Sequence, residues 1–233
     1  PYRSWCELCV TAKGKQDHSK QTSISERQPV IQCDYCFVTE KSETSETTLT
    51  LLTAVDVLTG LGLTCVVRHK CRSTYAKAEF KRFIYECGRT FGIIQYDPES
   101  SLKALVELIL KDVGGMTCRA SPKNWKQTQG SVGNLQANLY GQMRTIVLQL
   151  QSKYDGLGEI DLKSCLYPWI IRHAQWTLNR YQLHSDGKTS YERRWGRRYG
   201  RGICHFGETL LAKHNTWMSK SETSWFKGIW LGK

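Results

Sequence analysis

Two kinds of residue in this 233-residue chain have the types and spacing for chemistry: paired cysteines, and carboxylates set in strand-like runs. Cys6 and Cys9 form one C-x-x-C, and Cys33 and Cys36 form a second. Thiolates at that spacing can fill two corners of a tetrahedral zinc site, and the two pairs together have the layout of a zinc ribbon. The second pair lies in VIQCDYCFV, a strand pattern that points Cys33 and Asp34 to opposite faces, whereas zinc knuckles favour tight turns. The carboxylates are Asp34 in that run and Asp97, which ends the apolar run GIIQY before Pro98. Each has a plain reading too, Asp97 as a turn former and Asp34 as a side chain facing water. Between Arg119 and Tyr154 there is no acidic residue. That gap contains the longest helical stripe of the chain, Leu135, Leu139, Met143, Val147 and Leu150.

The elements that would position these groups follow from hydrophobic periodicity. Val30–Val38, Thr48–Leu58 and Gly62–Arg68 read as an antiparallel strand meander, separated by a Ser/Glu/Thr-rich loop and by Thr59-Gly60. Thr74–Gly88 carries Tyr75, Phe80, Phe83 and Ile84 at helical spacing. Gly92–Tyr96 is a further strand, Ser101–Val113 a helix with Leu102, Leu105, Val106 and Ile109 on one stripe, and Met116–Ala120 a short strand. A long helix then fills much of 127–150, and Tyr167–Gln182 is another. The order is that of an α/β domain. Residues 206–214 and 225–232 read as strands of a small β module.

Charge is unevenly placed. The formal net charge is +12. Residues 31–118 hold 10 Lys+Arg against 11 Asp+Glu, while residues 119–204 hold 14 against 5, so the second half carries a polyanion-binding character. Thr189–Arg201, TSYERRWGRRYGR, interleaves Arg193, Arg194, Arg197, Arg198 and Arg201 with Trp and Tyr. Such a segment suits phosphate contact and base stacking, or is a solvated basic linker over 186–204. The ten cysteines are scattered rather than dense, which fits a reduced intracellular setting, nucleus or cytoplasm. No run is long and apolar enough to span a membrane, so no membrane partner is expected. A G-x-S-x-G is absent, which argues against a serine hydrolase. The chain opens at Pro1 without Met, and we expect a piece of a longer polyprotein or of a degenerate reading frame.

The stretch QTQGSVGNLQANLYGQMRTIVLQL resembles the third active-site segment of retrotransposon integrases, especially Copia-type elements and their retroviral relatives. Thr128-Gln129-Gly130-Ser131-Val132 and Gly141-Gln142-Met143-Arg144-Thr145 carry the likeness, while the family's Glu-Arg pair is replaced by Gly133-Asn134. The resemblance implies an RNase H-like core, a mixed five-stranded sheet flanked by helices, over residues 30–185. It also implies a remnant of a zinc-binding knuckle at 1–20 (Cys6, Cys9), a linker at 21–29, and an incomplete C-terminal β module at 205–233. The family moves phosphoryl groups on DNA with two divalent ions held by two Asp and one Glu, an arrangement that activates the attacking and leaving oxygens together. Asp34 matches the first carboxylate and Asp97, in D-P-E-S-S-L, the second.

The third falls after 35 intervening residues, at Gly133. With two carboxylates for two Mg²⁺ or Mn²⁺ ions, metal binding is expected to be weak and strand transfer impaired. Lys13, Lys15, Gln129 and Arg144 join the basic run as expected DNA contacts. Multimers are a family expectation. The alternatives are a non-enzymatic DNA-binding remnant and a zinc ribbon built on Cys6, Cys9, Cys33 and Cys36.

Overall fold

The structure, a computed structural model, describes residues 28–41, 46–70, 73–122, 129–154, 160–213 and 223–232. Cys6, Cys9, Lys13 and Lys15 lie outside these residues.

The chain begins with three strands, β1 (Val30–Lys41), β2 (Glu46–Asp56) and β3 (Gly62–Val67), paired as an antiparallel meander. Helix α1 (Thr74–Glu86) crosses to β4 (Gly92–Tyr96), and α2 (Ser100–Leu110) leads to β5 (Met116–Ala120). Both β4 and β5 join the sheet in parallel, giving the order β3-β2-β1-β4-β5. Two long helices follow, α3 (Gly130–Lys153) and α4 (Tyr167–Tyr181), then the short α5 (Ser190–Trp195) and a separate hairpin of β6 (Thr209–Lys213) and β7 (Trp225–Ile229).

Strand alternation sorts the sheet into two faces. Ile31, Cys33, Tyr35, Leu52, Ala54, Ile94 and Tyr96 bury on one side against Phe80, Phe83 and Ile84 of α1 and Leu102, Leu105 and Ile109 of α2. Cys36 and Leu51 bury on the other against Leu139, Met143 and Ile146 of α3 and Ile170, Ile171 and Ala174 of α4. The sheet therefore sits between two helical layers. Each fully buried large apolar side chain contributes on the order of 1.5–3 kcal/mol, so this double core holds the fold without help from the carboxylates.

α4 lies unusually close to β3. Asn179 clamps Gly62 from both sides, accepting from its backbone N–H at 2.9 Å and donating to its carbonyl at 2.7 Å. A Cβ on Gly62 would come within 2.5 Å of Gln175 Nε2 and 2.6 Å of Leu135 Cδ1, so a larger residue there would push both side chains aside. Within the basic segment, Thr189 accepts from the Glu192 N–H at 3.0 Å and Gly196 adopts a left-handed φ of 69°, the start and stop of α5. The hairpin docks through His173 of α4, whose ring stacks on Phe206 and meets Trp230 edge-on. Among the described residues no helix is long and apolar enough to cross a membrane.

Candidate active site

Asp34 and Asp97 come from neighbouring parallel strands. The β1–β4 register pairs Gln32 with Gln95 and Cys33 with Tyr96, and ends there. The next residue on each strand is Asp34 and Asp97. Because Cys33 and Tyr96 bury on the α1 side, the two aspartates emerge abreast on the α3 side, from strands roughly 4.8 Å apart. Beyond this point β1 continues against β2 while the chain turns away at Asp97-Pro98. The site thus sits where parallel pairing stops, at the carboxyl end of β4, where α/β sheets open a crevice for ligands.

The same face carries two polar rows. One runs Thr64–Thr53–Asp34 across β3, β2 and β1, and the other Gln32–Gln95–Arg119 across β1, β4 and β5. In the second row Arg119 donates to Gln95 Oε1 at 2.6 Å, and Gln95 donates to Ser121 Oγ at 3.2 Å. Gln32 does the most for positioning. Its Oε1 accepts from the backbone N–H groups of Ser131 (3.1 Å) and Val132 (3.2 Å), in the first turn of α3. α3 has no side-chain cap of its own and no acidic residue in that turn, so β1 supplies the acceptor its free N–H groups need. This fixes the start of α3 over the aspartates.

One turn into α3, Gln136 Nε2 donates to Thr53 Oγ1 at 3.0 Å and lies 3.5 Å from Asp34 Oδ2. Burial holds the Asp34 carboxyl above its ordinary value. The Gln136 amide and the Tyr35 backbone work against that rise, and the negative charges of Asp97 and Glu99 add to it. Asp34 therefore feels both carboxylates of the D-P-E turn. Glu99 is itself committed, accepting from Lys70 Nζ at 2.9 Å and Ser101 Oγ at 2.8 Å. Lys70 also sits 4.8 Å from the Phe37 ring centroid, closing that side of the site.

Gly133 is exposed, and a Cβ built on it meets no atom within 4 Å. A longer side chain there would have open space three residues before Gln136, on the neighbouring part of the same helix surface. Among the described residues no group of three or more His, Cys, Asp or Glu could hold a metal ion. Asp34 and Asp97 are oxygen donors of the kind Mg²⁺ takes.

Cys33 and Cys36 fall in the two separate cores on opposite faces of β1, so the strand does not offer both thiols to one ion. Burial raises both, Cys36 to about 11. The basic residues are dispersed. Arg144 is exposed on α3. Arg193 pairs with Asp186 at 2.9 Å, Arg194 donates to the Glu86 carbonyl at 2.8 Å, and Arg198 lies 3.6 Å from Glu192. Arg197 and Arg201 are exposed. Gln129 donates to Ser121 Oγ at 3.0 Å, beside the second polar row. The aromatics of the basic run are occupied locally: Tyr191 stacks on Trp195, and Tyr191 and Tyr199 flank Arg180 of α4.

Gln32, Thr53, Lys70 and Gln136 are site residues that motif reading passed over. A signal for the first was present. Ile-Gln-x-Asp occurs at Ile31–Asp34 and again at Ile94–Asp97, and the parallel register lays one copy beside the other.

No protein-family model matches the chain, and no curated protein matches it. Among solved structures, it is similar to a chain of the simian T-cell lymphotropic virus intasome, determined by electron cryomicroscopy in complex with PP2A regulatory subunit B56 gamma. That match has a TM-score of 0.54 and 14% identity, and covers 96% of this chain and 76% of that one. The HTLV-2 integrase catalytic core domain, in a trimeric form with magnesium, gives a TM-score of 0.49 at 15% identity, over 71% of this chain and 95% of that one. The catalytic core domain of BIV integrase gives 0.45 at 16% identity, over 72% of this chain and 93% of that one. At this identity the first likeness, with its TM-score above 0.5, speaks to architecture: the fold is the mixed α/β, RNase H-like fold, a five-stranded sheet flanked by helices.

Proposed function

We propose that this chain is an integrase-like domain of a retrotransposon or retrovirus-like element, of the Copia type its motifs resemble, which binds DNA in the nucleus or cytoplasm and assembles as a homo-oligomer. The observation that carries this reading is the parallel register that sets Asp34 and Asp97 abreast beneath the first turn of α3. In that reading the two aspartates hold a divalent ion weakly, and such an ion would supply charge neutralisation at the transferring phosphoryl group. The residues of this chain contribute the rest: Gln32 fixes α3, Gln136 steadies Asp34, and the exposed cations of Arg144, Arg197 and Arg201 meet phosphate.

The third carboxylate position is Gly133, so we propose that strand transfer is impaired. A second reading, a DNA-binding domain without catalysis, is favoured by the lack of a carboxylate at position 133.

Strand transfer and end processing on a labelled duplex, in Mg²⁺ and then Mn²⁺, test this. The natural chain is run beside Gly133→Glu, and beside Gly133→Glu combined with Asp97→Asn. Activity that appears with Gly133→Glu and disappears with Asp97→Asn supports the site as drawn. Asp97-dependent turnover in the natural chain would sink the claim of impairment, with Glu99 the first residue to suspect. Failure to bind duplex DNA even at low salt would remove the family reading altogether.

A further inference from the structure

We propose that the groove between α1 and α4, on the far edge of the sheet from β5, is a binding site for a phosphate-bearing anion. It is separate from the aspartate site and does not rest on the function proposed above.

β3 is an edge strand, and α1 and α4 pack on opposite faces of the sheet beside it. Between them lies a pocket of about 250 Å³, lined by Arg82 and Glu86 from α1 and by Arg172, Gln175, Asn179 and Arg180 from α4. It adjoins a cavity of about 420 Å³ that shares Thr64, Arg82 and Arg172. The smaller pocket has room for roughly eight water volumes, enough for one or two phosphate groups.

Cations outnumber anions there. Arg82 is paired with Glu79 at 2.6 Å. Among the described residues no carboxylate lies within ion-pair distance of Arg172 or Arg180. Glu86, the other acid of the pocket, leaves the balance positive. Arg172 and Arg180 stand eight residues apart, hence on one stripe of α4, and Arg82 faces them from α1. Arg180 is fixed in place. Its guanidinium lies 4.3 Å from the Trp176 ring centroid, with Tyr191 and Tyr199 at 5.5 and 5.3 Å, and Nη1 donates to the Trp176 carbonyl. Its Nε has no hydrogen-bond partner among the described residues. A guanidinium has five donors, and among the described residues Nη1 alone is committed, to the Trp176 carbonyl, leaving the Nη2 edge as its donor face.

The floor is rigid and already bonded. Thr64 donates to Gln175 at 2.8 Å, Gln175 donates to Asn179 at 3.0 Å, and Asn179 clamps Gly62. Recognition therefore falls to the arginines. One arginine satisfies a carboxylate with its two oxygens. A phosphate group, with three outward oxygens and more charge, takes forked bonds from more than one guanidinium at once, as this arrangement offers.

The test is titration calorimetry of the full chain with inorganic pyrophosphate, and separately with a labelled DNA duplex. We expect pyrophosphate to bind, with affinity lowered about tenfold in Arg172→Gln and in Arg82→Gln, the loss of a charge-assisted bond. Lys111→Gln, an exposed charge at the end of α2, serves as the charge control and stays within about twofold. If Arg172→Gln also weakens the duplex and pyrophosphate competes with it, the phosphate is that of a nucleic-acid backbone. If duplex binding is unchanged, the site takes small phosphate compounds. No pyrophosphate binding at millimolar concentration, or equal binding by the natural chain, Arg172→Gln and Arg82→Gln, overturns the proposal. Both arginine variants are at solvent-accessible positions, and circular dichroism distinguishes a lost site from a lost fold.

Discussion

Gly133→Glu should turn an ion-indifferent fold into an ion-stabilised one, and the size of the change can be worked through. In a helix, Glu is favoured over Gly by about 1 kcal/mol. A carboxylate in the first turn adds about 0.3–1 kcal/mol through the helix dipole. No steric penalty opposes this, since a Cβ at 133 meets nothing within 4 Å. Repulsion does oppose it. A new carboxylate near Asp34 and Asp97 costs about 0.8 kcal/mol per pair at roughly 5 Å in a watery dielectric. Without metal the terms nearly cancel, and the variant should melt within about 4 °C of the natural chain.

With Mg²⁺ at about a hundred times its dissociation constant, binding to the folded state adds about 2.7 kcal/mol. In a chain of this size that is about 5–10 °C. The assay is thermal unfolding in EDTA and along an Mg²⁺ series, with Asp97→Asn in the Gly133→Glu background. The natural chain should shift by less than about 2 °C. A Gly133→Glu chain that gains no Mg²⁺-dependent stability, or one that keeps the gain without Asp97, refutes the placement of position 133 with the two aspartates.

Three further outcomes follow from the same structure. Asp34→Asn should raise the melting temperature at neutral pH in EDTA: burial raises the folded carboxyl above its ordinary value of 3.8, so the charged form is penalised once pH exceeds that value, and the gain should vanish as pH falls to it. Arg89→Met should lower stability by about 3–5 kcal/mol in urea, because it strands Asp56, which is fully buried and takes both Arg89 nitrogens at 2.7 and 3.0 Å. Burial lowers His173 from 6.5 to about 4, so the unfolded chain takes up the proton first and stability should decline as pH drops from 6.5 toward 4; tryptophan emission from Trp230 and Trp176 reports it, and a His173→Phe variant should flatten the profile.

The strands, the α1 and α2 stripes and the α4 segment were legible because their apolar residues repeat at the period of the element they form. Asp34 and Asp97 were singled out by motif, and that they lie side by side needed the register, which two local runs do not state by themselves. The residues that position the site were hidden for a common reason. Gln32 caps a helix 99 residues further on, and Lys70 reaches Glu99 across 29. Polar residues at strand positions look like surface residues until the helix that covers them is known. The basic run was legible as charge but not as structure. Its Thr189–Glu192 cap makes α5, and Arg193 and Arg194 then serve as ties to Asp186 and Glu86. The periodicity also had nothing to say about the arginine groove, which forms only when α1 and α4 flank the same edge strand.

The contacts that build this site are independent of the carboxylates it displays. α3 is held by Gln32 and by Leu139, Met143 and Ile146, and α4 by the Asn179 clamp on Gly62. None of these involves Asp34, Asp97 or position 133. The Asp34 carboxyl is raised first by burial, and the negative charges of Asp97 and Glu99 add to that rise. In the reading proposed above, glycine in place of a third carboxylate relieves charge at little structural cost, even though it weakens the helix by about 1 kcal/mol. On that reading a chain with this scaffold loses its chemistry and keeps its fold, and the polar clamps hold the place where a carboxylate introduced at position 133 would have to act.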